Sequence, residues 1–322
     1  MLPQFPKSKK LTIGDWLQVE KYTKHFPPYS DHNFTSLWVW DTKGKIRISS
    51  LNGNLVVKFQ DYLTCDVFYS FIGNKKVVRT IESLLGHSLK NGKTRRLKLI
   101  PEHNLLGVNL EKLNSKFEIA EDRDNFDHIL NISELAYMKG VKLRHKRKLL
   151  NGFLKRYEAK VIFEDLKKKP VQKDLLKVYR KWAKEKGKTR TLNLNETEAI
   201  KKLFASTNHF SVYTLCVYIK NKLVGFTIYE LANSQYAVSA FQKADAKYRG
   251  IYEFMNHQMA VHLQGIGCAF VNIEQDLGIE GLRRAKKDYN PTFLRKFVIS
   301  YKTKPIILPS PATGKLPKPK RT

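Results

Sequence analysis

The sequence predicts an α+β fold built from two mixed halves joined by a basic helix, and three observations carry that expectation. The chain has 322 residues, about two domains at the usual length. Its composition, 42% hydrophobic with 17 Gly and 12 Pro, is that of a chain able to build apolar cores. Strand-like and helix-like hydrophobic patterns alternate in both halves. Between them, residues 139–190 hold 20 Lys and Arg against five Asp and Glu, a net charge of +15 within a total of +30.

After an N-terminal lead, residues 36–41, 45–50, 55–60 and 66–72 read as short strands, turned at Lys43-Gly44 and at Asn52-Gly53-Asn54, which is the grammar of a meander. Residues 77–85 have helical spacing with a stop at Gly86, residues 95–100 return as a strand, and 102–113 fit another helix. These make an N-terminal half over residues 1–125, followed by a joining helical region over 126–157. On a helical wheel, residues 141–157 place Arg144, Lys148, Asn151 and Lys155 in one polar stripe. Leu143, Leu150, Phe153, Leu154 and Tyr157 cluster opposite, as packing on a core requires. Lys146 and Arg147 flank the apolar side, and either extend their charges past the packing surface or line an interior groove.

The second half, residues 158–301, repeats the grammar more clearly. Residues 160–163 read as a strand, 173–185 and 196–205 as helices, and 210–219 with 223–231 as a hairpin around Asn221-Lys222. A strand over 236–241, a helix over 248–263, a strand over 269–273, a helix over 279–287 and a last strand over 292–301 complete it. Residues 302–322 contain six basic residues and five prolines with no acidic residue, and read as a disordered basic tail.

A charge of this size implies a polyanionic partner, a phosphate backbone or an anionic membrane surface, and does not by itself imply an enzyme. No window approaches about 18 consecutive apolar residues and no apolar stretch follows the basic start, so neither a membrane span nor a secretion signal is expected. Cys65, Cys216 and Cys268 lie far apart in apolar stretches and read as buried reduced thiols of a cytoplasmic protein. The run GHSLKNGKT at residues 86–94 has five residues between its glycines where a phosphate-binding loop needs four, and it follows a helix. His257 and His262 are five apart, which denies them one helix face, and no metal site is expected. Nor does any nucleophile motif stand out.

The chemistry concentrates in residues 240–297. Lys243 and Asp245 follow a strand, and Lys247-Tyr-Arg-Gly250 leads into the next helix, the outline of an anion site. Glu274 and Asp276 leave the strand over 269–273 at its C-terminal end. Asp276 and Glu280 suit the start of the next helix and Lys286 its end, so macrodipole compensation accounts for these three as well as a site does. Glu274 has no such account, and stands where a carboxylate can receive or orient an amine.

Three blocks, FPPYSDHNFTSLWVWD at 26–41, ISELAYMKGVKLRHKRKLLNGFLKRY at 132–157 and VNIEQDLGIEGLRRAKKDYNP at 271–291, together make the chain resemble the phosphatidylglycerol lysyltransferase C-terminal domain family. The resemblance implies two GNAT-like acyltransferase halves and transfer of an aminoacyl group from aminoacyl-tRNA, without a cofactor, to a lipid headgroup or another nucleophile. It implies a catalytic group of Glu274, Asp276, Lys243 and Asp245, with the two former near the aminoacyl amine. Arg147, Lys286, Tyr252 and Asn272 then line the substrate, with Arg147, Lys286 and Lys243 near anionic oxygens, and Arg144, Lys148 and Lys155 meet tRNA phosphates. A lipid acceptor would be reached from the cytoplasmic face of the inner membrane. The chain departs from the family at Gln242, where Glu is usual before Lys-Ala-Asp, and at Lys148, where Asn is usual after Lys-Arg. Two other functions remain open. One is an acyl-CoA-dependent N-acyltransferase, against which the bulky Tyr252 near Lys247 and Gly250 argues, and the other an RNA- or membrane-binding protein with a decayed site, which Gln242 favours.

Overall fold

In the computed structural model, which describes residues 1–61, 65–91, 95–187 and 189–302, the chain forms two seven-stranded sheets with helices on their faces. Strand β1 (Lys9–Lys10) and helices α1 (Trp16–Thr23) and α2 (Phe34–Trp40) come first. The meander follows as β2 (Arg47–Leu51), β3 (Asn54–Gln60) and β4 (Val67–Ile72), paired antiparallel in sequence order. Next are α3 (Val77–Lys90), β5 (Arg96–Pro101), α4 (Leu110–Lys116), β6 (Phe117–Glu121) and β7 (Asp127–Asn131). Helices α5 (Ile132–Tyr137) and α6 (Arg144–Arg156) lead to β8 (Ala159–Phe163), α7 (Lys169–Glu185) and α8 (Arg190–Ala205). The chain continues through β9 (Val212–Ile219), β10 (Lys222–Leu231), β11 (Tyr236–Ala244), α9 (Ile251–Gly265), β12 (Phe270–Asn272), α10 (Glu280–Lys287), β13 (Thr292–Leu294) and β14 (Lys296–Tyr301). The expected tail beyond Lys302 lies outside the described residues.

The first sheet runs β1-β2-β3-β4-β5-β14-β6 and the second β13-β7-β12-β11-β10-β9-β8. Strands β1–β6 all lie in the first sheet, and the end of the chain crosses back to complete it with β14. Residues 292–301, expected as one strand, divide at Arg295 into β13 on β7 and β14 between β5 and β6. A period of two marks such residues as extended but says nothing about which sheet receives them. The hairpin forms as expected, but its turn is Lys220-Asn221, both at positive φ, one residue before the expected Asn221-Lys222, because Lys222 already pairs with Ile219.

Three local expectations fail for identifiable reasons. Residues 36–40 are helical although SLWVW carries strand-forming side chains, because five of the seven residues of α2 are buried and Glu230 fastens its start. The Glu230 carboxylate accepts from Asn33 Nδ2 and Thr35 Oγ1, both at 2.6 Å. Helix α3 passes through Gly86 to Lys90, since the open space around Gly86 forces no stop there; residues 92–94 of the GHSLKNGKT run lie outside the described residues. The helix expected over 102–113 is interrupted at Gly107, where φ is +75°, and restarts as α4 with Asn109 Oδ1 accepting from Lys112 N at 2.8 Å. Cys216 and Cys268 are buried as expected, whereas Cys65 is exposed.

One core cluster lies between the halves and joins Leu11, Ile48, Leu55 and Val57 to Leu175, Tyr179, Phe226 and Phe241. At about 1.5–3 kcal/mol for each large apolar side chain buried, this shared core ties the halves into one body. A second cluster packs α5, α6 and α9 on the other face of the second sheet. Leu143, Leu150 and Phe153 of α6 point into it as the wheel requires, but Leu154, placed with them, is exposed. Among the described residues no helix is long and apolar enough to cross a membrane.

Helices α6 and α9 meet at Gly250, whose φ of +92° favours glycine and where an added Cβ would lie 2.4 Å from Leu149 O. Gly250→Ala is therefore expected to cost about 1–3 kcal/mol from overpacking. A urea midpoint that falls at unchanged slope is the check; an unmoved midpoint would show that α6 can shift freely.

Candidate active site

Strands β11 and β12 pair in parallel over only three positions, Tyr236–Val238 against Phe270–Asn272. Beyond them β11 runs on to Ala244, while the other chain turns away after Asn272, so the sheet opens. One wall of the opening is the second half of β11, with Gln242 and Lys243. Opposite stands the turn 273–278, with Glu274. Glu274 and Leu277 take φ of +61° and +54°, left-handed conformations that cost a residue with a Cβ about 1–2 kcal/mol.

That turn is held from several sides. Glu274 N donates to Asn272 Oδ1 at 2.7 Å, and Asn272 Nδ2 donates to Pro28 O at 2.8 Å. From α10, Lys286 Nζ donates to the carbonyls of Ile273 at 2.6 Å, Glu274 at 3.1 Å and Gln275 at 2.6 Å. His128 N also donates to Glu274 O, at 3.2 Å. The half-buried Glu274 carboxylate is left with a long bond from Ser36 Oγ, 3.4 Å away. Burial pushes this carboxyl well above the usual carboxylate range despite the Lys286 charge, with Asp127 and Asp31 adding to the rise. Burial likewise pushes the Lys286 ammonium down against the attraction of Glu274, and repulsion from Lys243 contributes, which puts the two walls within electrostatic reach.

Beneath the turn lies a buried ionic network. Lys296, fully buried at the start of β14, donates to Asp127 Oδ1 at 2.9 Å, to Ser30 Oγ at 3.4 Å and to Asp31. Its burial opposes the charge, but Asp127 and Asp31 outweigh that and raise its pKa. Ser30 donates to Asp127 through N at 2.8 Å and Oγ at 2.6 Å, and Gln275 Nε2 reaches Ser30 Oγ at 2.8 Å and Asp31 at 3.0 Å. Asp276, also buried, accepts from Arg283 Nη2 at 2.7 Å and Nε at 3.1 Å, from Arg123 Nη1 at 3.2 Å and from Gly278 N at 3.0 Å. Burial works against its ionisation, but the Arg283 and Gly278 bonds and the arginine charges win and hold it below the usual range. Burial, helped by the Lys286 charge, pushes the neighbouring His128 down to about 4, so that it is neutral at pH 7.

The other expected site residues are placed as follows. Lys243 Nζ lies 3.0 Å from Glu196 Oε1 and 4.3 Å over the Trp182 ring. Asp245 accepts from Lys247 N at 3.2 Å and pairs with Lys181, so the protein's own carboxylate takes an amide of the expected anion loop. Tyr252 OH is directed at Ala244 O, 3.5 Å away, and Gln242 Nε2 donates to Asn256 Oδ1 at 2.7 Å. Arg147 Nη1 caps the end of α5, donating to the carbonyls of Met138 at 2.6 Å and Gly140 at 3.1 Å, away from the opening. Lys146 takes the interior alternative: it is buried, 3.2 Å from Glu253 Oε1 and 4.4 Å over the Tyr289 ring. Arg144, Lys148 and Lys155 form an exposed stripe on α6.

The structure thus brings Glu274, Asp276, Asn272 and Lys286 together, while Lys243 on the β11 wall is engaged by Glu196 and Trp182 and Arg147 stands apart. Sequence reasoning missed Ser30, Asp31, Ser36, Asp127, His128, Gln275 and Lys296. Ser30, Asp31 and Ser36 fall in the first of the three blocks, Gln275 in the last and Lys296 within residues 240–297, so a signal existed for them; Asp127 and His128 had none.

The family model "Phosphatidylglycerol lysyltransferase, C-terminal" matches residues 23–300. No curated protein matches the chain. Among solved structures, a conserved protein of unknown function from Bacteroides thetaiotaomicron is 25% identical, with 94% of this chain and 100% of that one covered at a TM-score of 0.79. The C-terminal domain of a putative lysylphosphatidylglycerol synthetase from Agrobacterium fabrum is 11% identical, with 89% and 90% covered at a TM-score of 0.62. The L-PGS of Bacillus licheniformis is 13% identical, with 90% and 93% covered at 0.60. The last two are similar in fold.

Proposed function

Because the chain belongs to the phosphatidylglycerol lysyltransferase C-terminal family, a family of acyltransferases, we propose that it moves an amino acid from charged tRNA to a nucleophilic acceptor, in the first instance the headgroup hydroxyl of an anionic lipid. The observation that carries this reading is Glu274: a carboxyl on a strained, heavily braced turn at the open point of the second sheet, its proton affinity raised by burial.

The donor ester is already activated, so positioning and proton transfer supply most of the catalysis. The acceptor oxygen or nitrogen attacks the ester carbonyl carbon, the bond to the tRNA ribose oxygen breaks, and the proton lost by the acceptor ends on that oxygen. Glu274 is suited to orient the acceptor and pass this proton, because its raised pKa brings it nearer to the groups it serves. Lys243, on the β11 wall and paired with Glu196, is the cation suited to meet the developing oxyanion. Asn272, Asp276 and Lys286 hold the turn, and Lys286 adds its field without leaving its three carbonyls. Arg144, Lys148 and Lys155 offer exposed cations to the tRNA backbone.

Two features support the lipid acceptor and disfavour coenzyme A. Leu277, Ile279 and Leu282, 51%, 55% and 36% exposed, stand beside Arg284 and Lys287 where the turn enters α10, a mixture suited to an anionic bilayer surface on the cytoplasmic side. The loop that would cradle a pyrophosphate already bonds Asp245.

Incubation with tRNA charged with labelled amino acids and phosphatidylglycerol vesicles is expected to move label into the organic phase. Label appearing only in water-soluble product would exclude the lipid, and label staying on bound tRNA would exclude the transferase.

A further inference from the structure

We infer that the groove between α7 and α8 binds the phosphodiester backbone of an RNA strand, at a site separate from the α6 stripe. The inference rests on the reading of charged tRNA as donor, and adds a second surface for that partner.

The groove is a depression of about 370 Å³ lined by Lys169, Lys173, Leu176 and Arg180 of α7 and by Lys201 and Phe204 of α8. Four of these are cations, and no carboxylate lines it. Lys169 leans on Gln172 Oε1 at 3.3 Å and Lys201 on Glu198 at 2.8 Å. Lys173 and Arg180 are exposed, with no carboxylate partner among the described residues. Cations without a carboxylate partner, as Lys173 and Arg180 are, gain most from a bound polyanion.

The spacing argues for a strand of phosphates over a single one. Positions 169, 173, 176 and 180 follow one face of α7 and extend over about 16 Å at the rise of an α-helix. A row of that length meets several phosphates of a nucleic acid backbone. A bilayer fits poorly, since Phe204 is buried and no large apolar side chain in the groove is exposed, unlike the exposed leucines before and within α10. The groove also points somewhere useful. One residue beyond Arg180, Lys181 pairs with Asp245, and next to it Trp182 lies under Lys243, on the β11 wall of the opening. A strand lying along α7 is thereby led to the cleft.

The two basic surfaces are distinct in the fold. Helix α7 packs through Leu175 and Tyr179 into the core shared by the halves, whereas α6 packs through Leu150 and Phe153 into the cluster on the opposite face of the second sheet. Charge changes in one leave the other intact.

The test measures binding of the full chain to uncharged tRNA by fluorescence anisotropy across a salt titration. For the double variant Lys173→Glu/Arg180→Glu, affinity is expected to fall roughly tenfold or more, and the slope of log K against log salt to shrink by about 2, one unit for each phosphate that no longer meets a cation. Lys173→Gln/Arg180→Gln should give the same reduction in slope with a smaller drop in affinity, and both variants should melt with the parent because the changed residues are exposed. Unchanged affinity and slope in the double variant would overturn the inference, as would a parent chain that binds no tRNA. Loss of binding to phosphatidylglycerol vesicles with tRNA binding kept would assign the groove to a membrane and overturn it too. Because the readout is binding, a parent that binds tRNA through the groove and transfers nothing would sink the transferase reading while leaving this one standing.

Discussion

Glu274→Gln is expected to lower aminoacyl transfer by about 10²–10⁴-fold, the usual contribution of a placed general acid or base, while tRNA affinity stays at the parent value. The substitution keeps shape and removes only the ability to ionise. The parent rate should climb with pH well above the range in which ordinary carboxylates have finished ionising, because burial holds the Glu274 proton. In Glu274→Gln that limb should vanish. Stability should run the other way. A carboxyl whose folded pKa is raised contributes stability that is present below its ordinary value of 4.5 and is lost as pH rises through the raised value. The variant should therefore match the parent in acid and exceed it in mild alkali, as thermal melts at two pH values would reveal. Parent-like turnover across the profile would remove Glu274 from the chemistry.

Lys296→Ala is expected to have the largest effect on folding, about 3–5 kcal/mol, the cost of stripping one partner from a buried ion cluster. It leaves Asp31 and Asp127 facing each other in the space that the ammonium filled. The damage should not be confined to stability. Lys296 belongs to β14 of the first sheet and Asp127 to β7 of the second, and Gln275 of the turn hangs on Ser30 and Asp31. Transfer assayed well below the melting temperature should fall as well, through a lower kcat, since the turn that carries Glu274 loses its footing. Lys296→Met, which keeps most of the volume, should recover packing but not the charge balance. A melting temperature within a degree of the parent in both variants would show that the cluster is dispensable.

How far the sequence could be read depended on the range of the forces involved. The meander, the hairpin at Lys220-Asn221, the amphipathic α6 and the basic run were legible because each is set by neighbours a few residues apart, through alternation, helical spacing or turn chemistry. Helix α2 was not, since SLWVW carries strand propensity and only its burial and the reach of Glu230 from β10 make it helical. Glu274 was legible as a carboxylate at a strand end, whereas its neighbour Asp276 proved to be engaged by two arginines, one of them 153 residues earlier.

By itself, then, the sequence determined the α+β class, the family resemblance, the excess of basic charge and the position of Glu274 at the end of a strand. The tertiary structure alone decided which sheet each strand joins, that Lys146 lies inside while Arg147 caps a helix, and that Lys296, Asp31 and Asp127 underpin the turn. The reason is physical. Local pattern reports what a segment gains by hiding one face from water, and it is blind to which distant charge will compensate a buried one. Such pairings are settled only when β14 returns to the first sheet and brings Lys296 under residues more than 160 positions away in sequence.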